Sequence, residues 1–420
     1  MFLNPARSNV IIGWLAFAMG FGLPVSTALD NIMVAAIVIV WLFTGDWQGK
    51  LERLRRNPAS YAIVLLVFLA AVGMTWGPAG SKENLRYFEK YAGLLLALGL
   101  FSLPLNAAIR QRAFMGFALA TVLTFSASYA FFLGILPAHW LPARLPTNPT
   151  VFKAHITHGF FMAIGAYVLL LMAKAEVDRR WRWGYGLAAA LAAGNALIVQ
   201  GRTGYLVLGV LTAYLFIQRF RWRGALASLA LMVFAVLVAK EFPESALTSR
   251  MTLALQEMRS WKAGEQVEEN SSMGVRMQFA ATSLRLIEQK PLLGVGTGSY
   301  EIAYRAAIPE GQVVTNNPHN QYLLTAVQLG LTGLLLLLAL FAVLWRLTGN
   351  MAENERLLAR GVLLAYLVGN LFNSFLYDHS EMRFFSWAVG LLFCGASLST
   401  RDAGSPGSSS SQARQETVRR

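Results

Sequence analysis

The sequence predicts an all-α, polytopic membrane helical bundle of about twelve transmembrane helices, with one large, partly helical loop on its outer side. Three observations predict it. Only 14% of the 420 residues are charged and 55% are apolar, where a soluble domain has about 25% charged residues. Apolar runs near the length a helix needs to cross hydrocarbon recur from end to end. Lys and Arg gather in alternate short loops. The polar–apolar alternation of a membrane barrel is absent. The net charge of +14 is dispersed rather than gathered on one wet face, which argues against nucleic acid as a partner. The single cysteine, Cys394, excludes an internal disulfide and a Cys-based metal cluster.

The runs are 9–26, 28–44, 60–77, 90–106, 113–135, 156–173, 184–200, 203–219, 224–240, 321–346, 357–375 and 383–398. They divide the chain into spans one to nine (1–240), the large loop (241–320), spans ten to twelve (321–400) and a polar tail (401–420). The first run lacks a small-residue cleavage site and reads as a retained span. An even count puts both termini on one side. Lys50, Arg53, Arg55 and Arg56 fall on that side, as do Arg110, Arg112, Lys174, Arg179, Arg180 and Arg182. So do Arg219, Arg221, Arg223, Arg346, Arg356 and Arg360, and the positive-inside rule makes it cytoplasmic. The Ser- and Gly-rich tail reads as disordered and cytoplasmic.

Segment 241–320 is far longer than an ordinary helix connection. Residues 246–261 and 274–289 mix apolar and polar positions at helical spacing. Gly264–Ser272 between them is polar and reads as exposed loop. Val275, Phe279, Leu286 and Ile287 make an apolar stripe that suits either the membrane face or the bundle. The run Gly294-Val295-Gly296-Thr297-Gly298 lacks the strand–turn–helix setting of a dinucleotide fingerprint and reads as a tight, close-packed turn.

The outer side holds polar groups that an anchor does not need. Arg202 sits between two apolar spans in Gln200-Gly201-Arg202-Thr203, either as a snorkelling side chain or as a functional cation. Arg276 follows Ser271, Ser272 and Gly274 near a helix start, where backbone N–H groups favour anions. Arg285 lies further along the same helix. Lys82, Arg86 and Lys90 share one helical face, and Lys153 adds charge; headgroup contact is the plainer reading of these. His319 lies in Asn316-Asn317-Pro318-His319-Asn320-Gln321-Tyr322, where Pro318 delays the helix. Asn317 or Asn320 can bond one ring nitrogen and leave the other to exchange protons near neutral pH; an interfacial capping cluster is the alternative. His155 and His158 lack a third ligand at metal spacing. Asp378, His379, Glu381 and Arg383 suit either substrate binding or a self-paired turn.

Lys290-Pro291-Leu292-Leu293-Gly294-Val295-Gly296-Thr297-Gly298-Ser299-Tyr300, followed by Pro318-His319-Asn320-Gln321-Tyr322, resembles the signature of the O-antigen ligase and polymerase superfamily. The resemblance implies a bacterial inner-membrane enzyme with a periplasmic loop. Its donor is an undecaprenyl-diphosphate-linked O-antigen, its acceptor is lipid A-core oligosaccharide, and it works among membrane lipids. It also implies an inverting glycosyltransferase with no metal, nucleotide or other cofactor. It places the family's histidine on His319 as general base and its two arginines on Arg202 and Arg276, which bind the diphosphate and stabilise it as it leaves. Lys82, Arg86, Lys153, Arg285, Asn317, Asn320, Tyr322 and the Asp378–Arg383 group form a wider substrate-binding set. O-antigen polymerases and protein O-oligosaccharyltransferases share the signature and the donor. A lipid-linked glycan transporter is the rival of a different kind, and it would need ionisable or broken helices deep in the membrane.

Overall fold

The computed structural model describes residues 5–141, 144–241, 246–260 and 271–396. The tail 401–420 and most of Gly264–Ser272 lie outside the described residues. Seventeen α-helices follow one another among them: α1 Pro5–Val25, α2 Thr27–Phe43, α3 Trp47–Arg56, α4 Pro58–Val72, α5 Ser81–Ala92, α6 Leu95–Phe101, α7 Ala107–Phe132, α8 His155–Ala175 and α9 Arg179–Ile198. Then come α10 Arg202–Phe220, α11 Trp222–Glu241, α12 Ala246–Ser260, α13 Ser272–Gln289, α14 Tyr300–Ala307, α15 Gln321–Leu347, α16 Glu353–Gly369 and α17 His379–Leu392. The described residues contain no β-strand. Side-chain caps fix several starts by satisfying orphan N–H groups. Asn106 accepts from Ile109 at α7, Asp178 from Arg180 at α9 and Asn320 from Leu323 at α15.

The chain is a multi-pass helical membrane protein, but the expectation of about twelve spans is corrected. Five described helical stretches are long and apolar enough to cross a membrane: Pro58–Thr75, Ala107–Phe132, His155–Ala175, Arg202–Phe220 and Gln321–Asn350. A sixth arises if α2 and α3, bent by 115°, make one broken span. The other apolar runs do not make described helices that are both long and apolar enough; run 184–200 lies largely in α9, which is 20 residues long but opens on Arg179, Arg180 and Arg182. Run 90–106 is split by a turn at Gly93–Leu94, which leaves α6 seven residues long. Run 357–375 leaves its helix at Gly369, and α17 has 14 residues with Glu381 and Arg383 in its first turns. Val10–Val25 and Trp222–Phe234 are apolar but short. An apolar run records exclusion from water; packing against neighbouring helices supplies that as well as lipid does.

The main core is aromatic. Trp387, Phe384, Phe161 and Phe117 are buried and pack tilted or edge to face at centroid distances of 4.8 to 6.5 Å. A second core lies under α13, where Phe279 and Leu286 are buried with Tyr87, Tyr300, Tyr304 and Val327, and Val275 and Ile287 pack at its edge. The apolar stripe of α13 therefore faces the bundle.

Helix α15 breaks at Gly330, with φ 67° and ψ −170°. The break redirects backbone hydrogen bonds, and the glycine run takes them up. Leu331 N donates to Pro291 O at 2.7 Å, while Val295 N and Gly296 N donate to the freed carbonyls of Val327 and Gln328 at 2.8 and 2.9 Å. Thr297 ties the same loop to the end of α4 through Gly73 O at 2.9 Å and Ala70 O at 2.7 Å. Gly296 has φ 100°, and a Cβ there would lie 2.6 Å from Gly77 Cα. Only glycine fits such a position.

Candidate active site

The site starts from a close helix crossing. A Cβ on Gly204 would lie 2.9 Å from the carbonyl carbon of Gly159, so bare backbone surfaces let α8 and α10 touch. That contact brings Arg202, the first residue of α10, against the first turn of α8. A cavity of about 210 Å³ opens there. Its walls are Arg202, Thr203 and Tyr205 of α10, His155 and Ile156 of α8, Asn148, Gln200 and Gly201 of the adjoining loops, and Arg276 of α13. Asn148 Oδ1 accepts from Gln200 N at 3.0 Å, which fixes the loop rim beside Arg202.

Arg202 and Arg276, far apart in sequence, thus face one cavity. Burial, and then the charge of Arg202, push the Arg276 pKa down. A guanidinium stays charged regardless, so two like charges share a partly desolvated space of the kind that suits phosphate oxygens. Two N–H groups in the first turn of α13 are already taken. Glu257 Oε2 accepts from Met273 N at 2.6 Å and Ser271 Oγ from Gly274 N at 3.2 Å.

His319 is half-buried beside this cavity. Its backbone has φ 52°, a left-handed conformation uncommon outside glycine. Asn317 Oδ1 holds it by accepting from His319 N at 2.9 Å and from Ser374 Oγ at 2.7 Å. The ring stacks on Phe279, with centroids 6.2 Å apart and planes 24° apart. Phe279 lies three residues beyond Arg276, so one face of α13 presents both. Burial, and then the Arg276 charge, push the His319 pKa down to about 4. Neither Asn317 nor Asn320 reaches the ring, contrary to the sequence reading. Asn317 holds the backbone, and Asn320 caps α15 and donates to Leu371 O at 3.0 Å. Tyr322 is similarly occupied, its hydroxyl donating to Leu367 O at 2.8 Å.

The wider substrate-binding set is not gathered on the cavity wall. Lys82 and Arg86 are exposed on α5, and Arg285 is exposed on α13. Lys153 is buried and donates to Thr27 Oγ1 at 3.1 Å and Ser380 Oγ at 2.9 Å. Burial lowers its pKa, against the opposing charges of Asp30 and Glu381. His379 pairs with the buried Asp30 at 2.9 Å. Glu381 is 2% exposed, Arg383 is half-buried, and burial followed by the Glu381 charge pushes Asp378 up to about 7. Among the described residues, His379 thus pairs outside the Asp378–Arg383 group, with α2, and not with another member of it.

Sequence reading passed over the residues that join the two halves of the site. Asn373 Nδ2 donates to Thr203 Oγ1 at 2.7 Å, and Ser374 bonds Asn317, all four being buried. Two consecutive polar residues at the end of an apolar run were the available signal. His158 is fully buried against Asn195 Oδ1 at 2.8 Å. Among the described residues, no three His, Cys, Asp or Glu side chains are grouped to hold a metal ion. Residues 187–338, which include Arg202, Arg276, His319 and the glycine run, match the family described as O-antigen ligase. No curated protein matches the chain.

Proposed function

We propose that the chain belongs to the O-antigen ligase family, whose description residues 187–338 match, and that it transfers O-antigen polysaccharide from undecaprenyl diphosphate to lipid A-core oligosaccharide. The observation that carries this reading is the pair Arg202 and Arg276 on one cavity, with His319 next to Arg276. A diphosphate offers oxygens to both guanidinium groups, and planar guanidinium makes bidentate contacts to such oxygens. As the anomeric C–O bond to phosphate breaks, the diphosphate leaves as an anion held by the two arginines. The acceptor hydroxyl attacks from the opposite face, its proton passes to His319, and the new glycosidic bond has inverted configuration.

The same reading orients the molecule. Arg112 lies over the Trp14 ring at 5.6 Å, and Arg110 reaches Cys394 Sγ at 3.8 Å. The first half of α1, the start of α7 and the end of α17 therefore share one end, which carries Arg110 and Arg112. The cavity lies at the opposite end of α8. The positive-inside rule then supports a site facing the periplasm of a bacterial inner membrane, with both chain ends cytoplasmic. A transporter would be supported by exposed polar backbone at the α15 break, but those carbonyls are bonded to the glycine run.

The test is donor binding by purified Arg202→Gln and Arg276→Gln proteins, with transfer assayed to three acceptors: lipid A-core, a second lipid-linked repeat, and a hydroxyl-bearing peptide. The proposal expects weakened donor binding in both variants and wild-type transfer to lipid A-core. Transfer only to the lipid-linked repeat or only to the peptide would reassign the acceptor. Wild-type donor binding in both variants would remove the diphosphate site.

A further inference from the structure

A chain of buried hydrogen bonds runs behind the rim of the candidate cavity and ends on it. Ser128 of α7, His158 of α8 and Asn195 of α9 are each fully buried. His158 Nε2 lies 2.8 Å from Asn195 Oδ1, Asn195 Nδ2 donates to Ser128 Oγ at 2.8 Å, and Ser128 Oγ donates to the carbonyl of Pro149. The Pro149 carbonyl sets every proton in the chain. A carbonyl only accepts, so the single Ser128 hydroxyl proton goes to Pro149. Ser128 must then accept from Asn195, which turns the NH2 of that amide toward it and leaves Oδ1 facing His158. Oδ1 only accepts as well, so His158 donates from Nε2. Three helices thus hold Pro149 through bonds whose direction is fixed.

The residue this anchor places is Asn148. A proline restricts the residue before it to extended conformations, so holding Pro149 sets the course of Asn148. Asn148 N donates to Leu145 O at 2.9 Å, its carbonyl accepts from Thr150 N at 2.7 Å, and its Oδ1 accepts from Gln200 N at 3.0 Å. Asn148 also lines the cavity, together with Arg202 and Arg276. With Oδ1 turned to Gln200, the end of the amide left for the cavity is Nδ2, which only donates. A ligand atom that meets it must accept. Diphosphate oxygens are acceptors alone, as the two guanidinium groups also require, whereas a sugar hydroxyl brings a proton that needs an acceptor of its own. We infer that Asn148 is a third ligand of the donor diphosphate, beside Arg202 and Arg276, and that Ser128, Asn195 and His158 position it from behind. The inference rests on the proposed transfer from a lipid diphosphate.

The experiment measures binding of undecaprenyl diphosphate, with and without its glycan, to the purified full chain. Asn148→Asp keeps an acceptor for Gln200 N and sets a carboxylate oxygen in place of Nδ2. It should weaken both ligands by the same factor, about tenfold or more, the effect of losing a hydrogen bond to a charged group. Ser128→Ala should weaken both by less. In an Asn148→Ala background it should weaken them no further, because its effect passes through Asn148. A merely structural Ser128 would cost the same in both backgrounds, and such an additive loss would overturn the positioning chain. A loss confined to the glycan-bearing ligand in Asn148→Asp would place the contact on the sugar and overturn the diphosphate contact. Wild-type binding in Asn148→Asp, with binding lost in Arg202→Gln, would overturn this inference alone. Wild-type binding in Asn148→Asp, Arg202→Gln and Arg276→Gln would overturn the diphosphate site together with it.

Discussion

His319 is a base made weak by its surroundings. Desolvation against Phe279 and the nearby Arg276 both disfavour imidazolium, and together they bring its pKa to about 4. Histidine's ordinary titration range suggested a limb near neutral pH; the contact between α13 and the loop before α15 moves it, and no spacing in the sequence reveals that contact. A depressed base is deprotonated at lower pH, so the acidic limb of kcat/KM, which reports the free enzyme, should lie near pH 4. That limb should vanish in His319→Ala, with a rate loss of about 10²–10⁴, or roughly 3–5 kcal/mol. In Arg276→Gln the repelling cation is gone, imidazolium becomes easier to form, and the limb of the residual activity should move to higher pH. A pH–rate series on the three proteins checks both shifts; a limb that stays in place in Arg276→Gln would separate the two side chains. Residue types and their chemistry were readable in advance for Arg202, Arg276 and His319. The roles of Asn317, Asn320 and Tyr322 were not, because a side-chain amide or hydroxyl bonds whatever backbone the fold brings near it.

The turn between α16 and α17 fastens the site together. Asn373 holds Thr203, the neighbour of Arg202, and Ser374 holds Asn317, which holds His319. Losing one partner of a buried hydrogen bond costs about 1–3 kcal/mol. Asn373→Ala and Ser374→Ala should each lower kcat about tenfold or more, with donor KM nearly unchanged in Ser374→Ala, and Ser374→Thr should recover most of the loss. Steady-state kinetics per folded enzyme distinguish this from simple destabilisation, which would leave kcat intact. The glycine loop has a different duty, that of plugging the α15 break. Gly296→Ala forces a side chain into a positive-φ position against Gly77 and should cost at least about 2 kcal/mol, seen as a lowered unfolding temperature. The sequence announced that loop as a tight turn, since three glycines within five residues have little other use. It did not announce the turn at 370–378, because Leu371, Phe372, Phe375 and Leu376 continue the apolar run across it.

At the scale of the whole molecule, the two ends of the bundle carry different groups. One gathers Arg110, Arg112 and the exposed Trp14, Trp181 and Trp183. The other brings Arg202, Arg276 and His319 from three separate segments to one place. Composition alone revealed a membrane protein, while the alternation of Lys and Arg loops rests on a twelve-span count that the helices do not keep. The number of spans was overread, since helices such as α6, α16 and α17 are buried by their neighbours without being long enough to cross. The central claim is that the three residues form one transfer site, with the arginines holding the diphosphate and the histidine taking the proton. Single-turnover transfer in proteoliposomes, with donor binding measured on the same preparations, tests it most directly. His319→Ala should bind lipid-linked donor about as the wild type does and fail to transfer it, whereas Arg202→Gln and Arg276→Gln should lose donor binding and transfer together. Wild-type transfer rates in folded His319→Ala, or undiminished donor binding in both arginine variants, would contradict the account.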